Sequence, residues 1–144
     1  MIEVQDGIKI GNAIVCEDVR AEAGGKWSIL GVFSGDIITA ELPANIRLAV
    51  YMESHVSKPY KGPLNVRFRL DDNVLLEAQG NLDSQNGITV MPVPQLILGV
   101  ERPGRLAIEI GRGDKWTEVA TKNVLLGTVK DGNFIPSSVS GQPS

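Results

Sequence analysis

The sequence predicts an all-β chain: an antiparallel β-sandwich of immunoglobulin-like form with about seven to nine strands, for which a partly open β-barrel is the alternative closure. Three observations carry this. Apolar and polar residues alternate with a period of two in several runs. Turn-forming residues fall between those runs, and few stretches free of Gly and Pro are long enough for a helix.

The alternation is cleanest in three places. Ile46, Leu48, Val50 and Met52 alternate with Arg47, Ala49, Tyr51 and Glu53; Leu64, Val66, Phe68 and Leu70 alternate with Asn65, Arg67, Arg69 and Asp71. Leu106, Ile108 and Ile110 repeat the pattern against Arg105, Ala107 and Glu109. Successive side chains of a strand point to opposite faces, so each run has one greasy and one wet face; on a helix the same residues would scatter.

In chain order, strands are expected near 12–20, 26–33, 45–54, 64–71, 74–82, 95–100, 105–112 and 116–126, with short or edge strands at 8–11, 36–40 and 88–91. Gly24-Gly25 turns the first hairpin, and Ser34-Gly35-Asp36 ends its second strand. Asp71-Asp72-Asn73 divides the stretch from Leu64 to Gln79 into two hairpin strands, and residues 112–115 join the last pair. Pro59 to Pro63, Asn86-Gly87, Pro92 to Pro94, Arg102-Pro103-Gly104 and Asp131-Gly132-Asn133 supply the remaining turns.

The chain of 144 residues is 42% hydrophobic and 22% charged, which suits one domain over residues 1–133. At this length roughly 68–70% of the unfolded surface is hidden on folding, so one core suffices without disulfides or metal. With two Trp, two Tyr and three Phe, that core is built mainly from Ile, Leu, Val and Ala. The last segment, IPSSVSGQPS, is small, polar and short of core residues, and 134–144 is expected to be a flexible tail.

Charge and cysteine content narrow the function classes. A net charge of −3 argues against a protein whose main work is neutralising phosphates, so nucleic acid is an unlikely partner. The one cysteine cannot close an intrachain bridge, and a reducing compartment fits. The amino-terminal MIEVQDGIKIGN carries acids where a signal peptide needs a basic start, and no run approaches 18 apolar residues. A cytoplasmic location with no membrane association is expected.

Catalytic chemistry is poorly served. His55 is the one histidine, and its neighbour Ser54 would point to the opposite face of the strand, so the two cannot form a dyad. Cys16 in a strand interior reads as a buried, inert thiol. Together Cys16 and His55 supply two of the four ligands of an ordinary zinc site, so neither a metal site nor a cofactor is expected. The Asp and Asn residues of 71–73, 81–87 and 131–133 could offer oxygens to calcium, but they lack calcium-loop spacing and are what hairpin turns use. The segment GRGDKW, 111–116, lacks the helix a phosphate-cradling glycine loop needs.

The densest polar signature is CEDVRAEAGGKWSILGVFSGD, residues 16–36. Asp18, Arg20 and Glu22 share one strand face there, which allows an Asp18–Arg20 contact. Trp27 and Trp116 are either core anchors or, if exposed, recognition or stacking surfaces. Lys58, Lys61, Arg67 and Arg69 with Tyr60 make a modest basic cluster. The binding candidates are therefore Asp18, Arg20, Trp27, Asp36 and Trp116, with no catalytic residue.

The same segment resembles the start of a bacterial family of uncharacterised all-β domains. In that family a small or apolar strand leads to an E/D-D-x-R turn, here Glu17-Asp18-Val19-Arg20. Gly-Lys follows (Gly25-Lys26), then Gly-Val-Phe or Gly-Val-Tyr (Gly31-Val32-Phe33), with Gly-Asp close behind (Gly35-Asp36). The match is specific over 13–37 and general elsewhere. It implies an all-β fold and brings neither an activity nor catalytic residues.

The function expected on these grounds is a non-catalytic binding or assembly module that contacts another macromolecule, most simply a protein, through loops or a sheet edge. A calcium- or carbohydrate-binding module is the alternative. A carboxylate-based hydrolase is the second; it needs two acids facing each other across a cleft, one with a raised pKa.

Overall fold

The computed structural model describes residues 1–5 and 7–137. Among them are fourteen strands and no helix. They are β1 (Ile2–Gln5), β2 (Ile8–Glu22), β3 (Lys26–Val32), β4 (Ile37–Thr39), β5 (Ala44–Val56), β6 (Tyr60–Pro63) and β7 (Asn65–Leu70). β8 (Asn73–Ala78), β9 (Asn81–Ser84), β10 (Gly87–Val90), β11 (Val93–Val100), β12 (Gly104–Arg112), β13 (Lys115–Lys130) and β14 (Asn133–Pro136) follow.

The first sheet runs β1-β2-β5-β10, with β3 also on β2 and β11 also on β5. The second runs β14-β13-β12-β7-β8, with β4 added to β13. β6 and β9 form a separate two-stranded ribbon. Each sheet curls, because its long strands change neighbours along their length. β2 pairs β1 around Ile8–Ile10 and β3 from Cys16 onward; β5 pairs β11 over Ala44–Val50 and β10 over Glu53–Val56. Bulges at Gly11/Ile14, Val93/Leu96, Phe68/Arg69 and Ile108/Glu109 add local twist and bend. The result is two half-barrels around one core, an arrangement that a partly open barrel fits.

The alternation read from the sequence points as expected. Ile46, Leu48, Val50, Met52, Leu64, Val66, Phe68, Leu70, Leu106, Ile108 and Ile110 are all buried in one cluster. Ser54 continues the inner face of β5 and is fully buried, while His55 lies on the outer face, so the two do diverge.

Three details differ from the expectation. The strand count exceeds nine, because the 74–82 run divides at Gln79-Gly80 into β8 and β9, and β1, β6 and β14 add short strands. The β4–β13 pairing is parallel, in an otherwise antiparallel fold. β13 continues to Lys130 and turns at Asp131, whose φ is 52°, into β14, so residues 133–136 pair with 127–130. The remainder of the expected tail, 138–144, lies outside the described residues.

Candidate functional site

The β2–β3 hairpin brings three of the five candidate residues together. Arg20 Nε donates to Asp18 Oδ2 at 2.7 Å, and Trp27 lies opposite Ala21 in the ladder. Arg20 is well exposed, so this pair is worth at most about 1 kcal/mol to the fold. Beneath it is a second apolar cluster, separate from the main core: Cys16, Val19 and Ala49, covered by the partly buried Trp27, Ile29 and Tyr51. Cys16 Sγ lies 3.4 Å from the Asp18 carbonyl and 3.6 Å from that of Ala49. Burial, the largest influence, pushes its thiol pKa up, which suits an inert side chain.

β3 is an edge. It pairs β2, and no other described strand pairs it. From Trp27 through Phe33 the sequence has neither a charge nor a proline, and Leu30 and Val32 are 41% and 51% exposed. Edges are usually guarded by such residues: Glu3 in β1, Glu77 in β8, Pro94 in β11 and Pro136 in β14 are examples, while the short edges β4 and β10 carry neither and β3 carries only Lys26 at its start.

Asp36 and Trp116 lie elsewhere. Asp36 Oδ1 accepts a long 3.4 Å bond from Asn123 Nδ2. Trp116 is seven residues from Asn123 along β13, or roughly 20 Å in a strand, so the two candidates do not share a site. The guanidinium of Arg67 sits over the Trp116 ring, 4.4 Å from its centroid, and Trp116 Nε1 donates to the Gly113 carbonyl at 2.9 Å.

Around Trp116 is a polar cluster that the sequence does not announce. Glu109 is buried on the outer face of the second sheet, where Oε1 accepts from Arg67 Nε at 2.7 Å and from Arg69 Nε at 3.2 Å; Oε2 accepts from Arg69 Nη2 at 3.3 Å. Arg105 pairs with Glu118 alongside. Burial works to raise the Glu109 pKa, but the bonds from Arg69 and Arg67 outweigh it and hold the carboxyl below its ordinary range. The signal that could have revealed this is Arg67 and Arg69 sharing one face; their partner lies 42 and 40 residues away.

A second unannounced group follows the outer face of β5. Glu53 accepts from Tyr51 Oη at 2.7 Å and from Asn12 Nδ2 at 2.8 Å, and His55 Nε2 stands 3.9 Å from Glu53 Oε1. Asn12, at the β2 bulge with φ 51°, is swung toward the carboxylate by its left-handed backbone. These donors, Tyr51 first, lower the Glu53 pKa. Among the described residues, Glu53 and Glu109 are therefore held ionised, opposite to what a general acid needs.

The Asp-rich loops act as turns. Asp71 and Asp131 adopt φ of 49° and 52°, a conformation Asp tolerates, and Asp71 Oδ1 accepts from the Arg105 amide at 3.1 Å. Among the described residues no three His, Cys, Asp or Glu side chains gather as metal ligands.

A curled all-β module whose β3 edge carries an uncharged run is what these observations define. The chain belongs to DUF6941, a family of unknown function, whose model matches residues 12–124. That span runs from the β2 bulge to the β12–β13 ladder and includes the β2–β3 hairpin. No curated protein matches the chain.

Proposed function

We propose that this protein is a non-catalytic binding module that takes up an extended segment of a protein partner along β3. One observation carries the reading: a six-residue stretch of free edge in β3, Trp27 to Val32, uncharged and without proline, with Leu30 and Val32 turned to solvent. Added strands draw affinity from main-chain hydrogen bonds and specificity from alternate side chains. The Asp18–Arg20 pair and Trp27 border that edge and would meet the partner's flanks. We assign the module to the cytoplasm, on the strength of its single buried thiol. An immunoglobulin-like sandwich is the finer architectural reading, supported by two layers that share one aliphatic core.

Neither alternative has comparable support. The Trp116 ring already carries a guanidinium, which leaves less of it for a sugar, and the oxygen-rich loops are occupied with turn formation. The test is affinity capture from the native host with wild type and with a Leu30→Lys/Val32→Lys double variant, followed by amide exchange on the recovered complex. The partner should be lost at least tenfold from the variant, and β3 amides should gain protection in the wild-type complex. Equal capture by both, or a partner that leaves β3 unprotected, would overturn the proposal.

A further inference from the structure

The two half-barrels do not close where the β10–β11 edge of the first sheet approaches β8 and β9. Pro92 and Pro94 interrupt that edge, and each lacks the amide hydrogen needed to pair outward. The unzipped seam opens into a cavity of about 320 Å³ whose walls are Met52, Val66, Val93 and Ile110 from the two sheets, Leu82 from the β6–β9 ribbon and Met91 from the β10–β11 connection. All but Met91 are buried, and Met91 is half-buried.

Size, polarity and charge each constrain what fits. An apolar cavity of roughly 150 Å³ holds a benzene ring, so this one has room for about two fused rings. It lies at the small end of the range of about 300–1,000 Å³ for ligand sites. Thr89, the hydroxyl residue of its lining, is already paired with residues behind it. Ser54 Oγ donates to the Thr89 carbonyl at 3.0 Å, and the Ser84 and Thr89 hydroxyls lie 2.8 Å apart. The other polar side chains of the lining, Gln79, Asn81 and Asp83, are exposed at its mouth, and the buried side chains of the lining are all apolar. Asp83, exposed at the mouth, disfavours an anion. We propose that this seam cavity binds a small, neutral, apolar molecule of about two fused rings, independently of any partner on β3.

The test uses methyl-¹³C methionine in the full chain, with 2-naphthol as the probe. The three methionines divide usefully: Met52 and Met91 line the cavity, while Met1 does not. Titration should shift the Met52 and Met91 methyl signals saturably and leave Met1 in place. Ala78→Phe, which fills the cavity from β8, should weaken binding at least tenfold, whereas Leu30→Lys/Val32→Lys should bind as wild type does. No saturable shift, a shift of Met1 alone, or undiminished binding by a folded Ala78→Phe protein would overturn the proposal. Should Ala78→Phe fail to fold, contacts between naphthol protons and the Val93 and Ile110 methyls in wild type decide the matter; their absence is equally fatal.

Discussion

Arg67 and Glu109 stand directly opposite each other on β7 and β12, and the Arg67 Nε donates to Glu109 Oε1 at 2.7 Å. The carboxylate is buried while the two arginines that hold it keep 23% and 26% of their side-chain exposure. Removing the acid would leave two partly shielded cations without their anion. Breaking a fully buried pair costs about 3–5 kcal/mol, and the residual hydration of the arginines reduces this. Glu109→Ala should therefore destabilise the protein by about 2 kcal/mol in urea unfolding, near the range for hydrogen bonds to charged groups. A change under 0.5 kcal/mol, the usual scatter of surface substitutions, would show the cluster to be no more than solvated surface.

Acid should weaken the fold through the same carboxylate and through Glu53. Both have folded-state pKa values below the ordinary 4.5, so the unfolded chain binds protons first as pH falls. Their contribution is fully present above that ordinary value and is lost as pH drops through the lowered ones. Urea midpoints measured from pH 6 to pH 3 should fall in wild type, and more shallowly in Glu109→Gln, whose neutral amide does not titrate. Parallel slopes in the two proteins would remove Glu109 as a source of the acid sensitivity.

Cys16 has no solvent exposure, and burial raises its thiol pKa. Reaction with a disulfide reagent therefore has to wait for the β2–β3 hairpin to open. Labelling of the native protein at pH 8 should be at least about a hundredfold slower than in urea, with a rate that rises as denaturant is added. Rapid labelling without denaturant would mean that the hairpin opens freely.

How much could be read beforehand depended on how local each signal is. β5, β7 and β12 were legible because a buried face imposes a period of two within a few residues. The Asp18–Arg20 contact was legible for the same reason, the two being one strand repeat apart. Gln79-Gly80 ends β8 without Pro, Asn or Asp, and β14 is too short to show alternation, its four residues being exposed and paired with β13 rather than buried in the core. Glu109 looked like an outward residue by alternation. It is buried because Arg67 and Arg69 cover it, a relationship spanning some forty residues that no local window contains. Trp116 likewise belonged with Arg67 rather than with Trp27, since sheet order and not sequence order brings rings and cations together.

Two glycines in the β12–β13 hairpin should be sensitive to added bulk for different reasons. Gly111 pairs with Trp116, and a Cβ there would run into the Lys115 carbonyl and the Trp116 Cα, both backbone atoms that cannot swing aside. Gly113 faces open space but has φ of 61°, where a Cβ crowds its own carbonyl. Gly111→Ala should therefore cost about 1–3 kcal/mol, as overpacking does, and should also lift Trp116 from beneath Arg67, changing its fluorescence. Gly113→Ala should cost about 1–2 kcal/mol from backbone strain alone, and Gly113→Asn less, because Asn tolerates that conformation. Thermal unfolding and tryptophan emission of the three variants separate the causes: a stability loss with altered emission marks displaced packing, and one with unchanged emission marks strain confined to the turn. Unchanged stability and emission in Gly111→Ala would contradict the close approach of the two strands at Gly111.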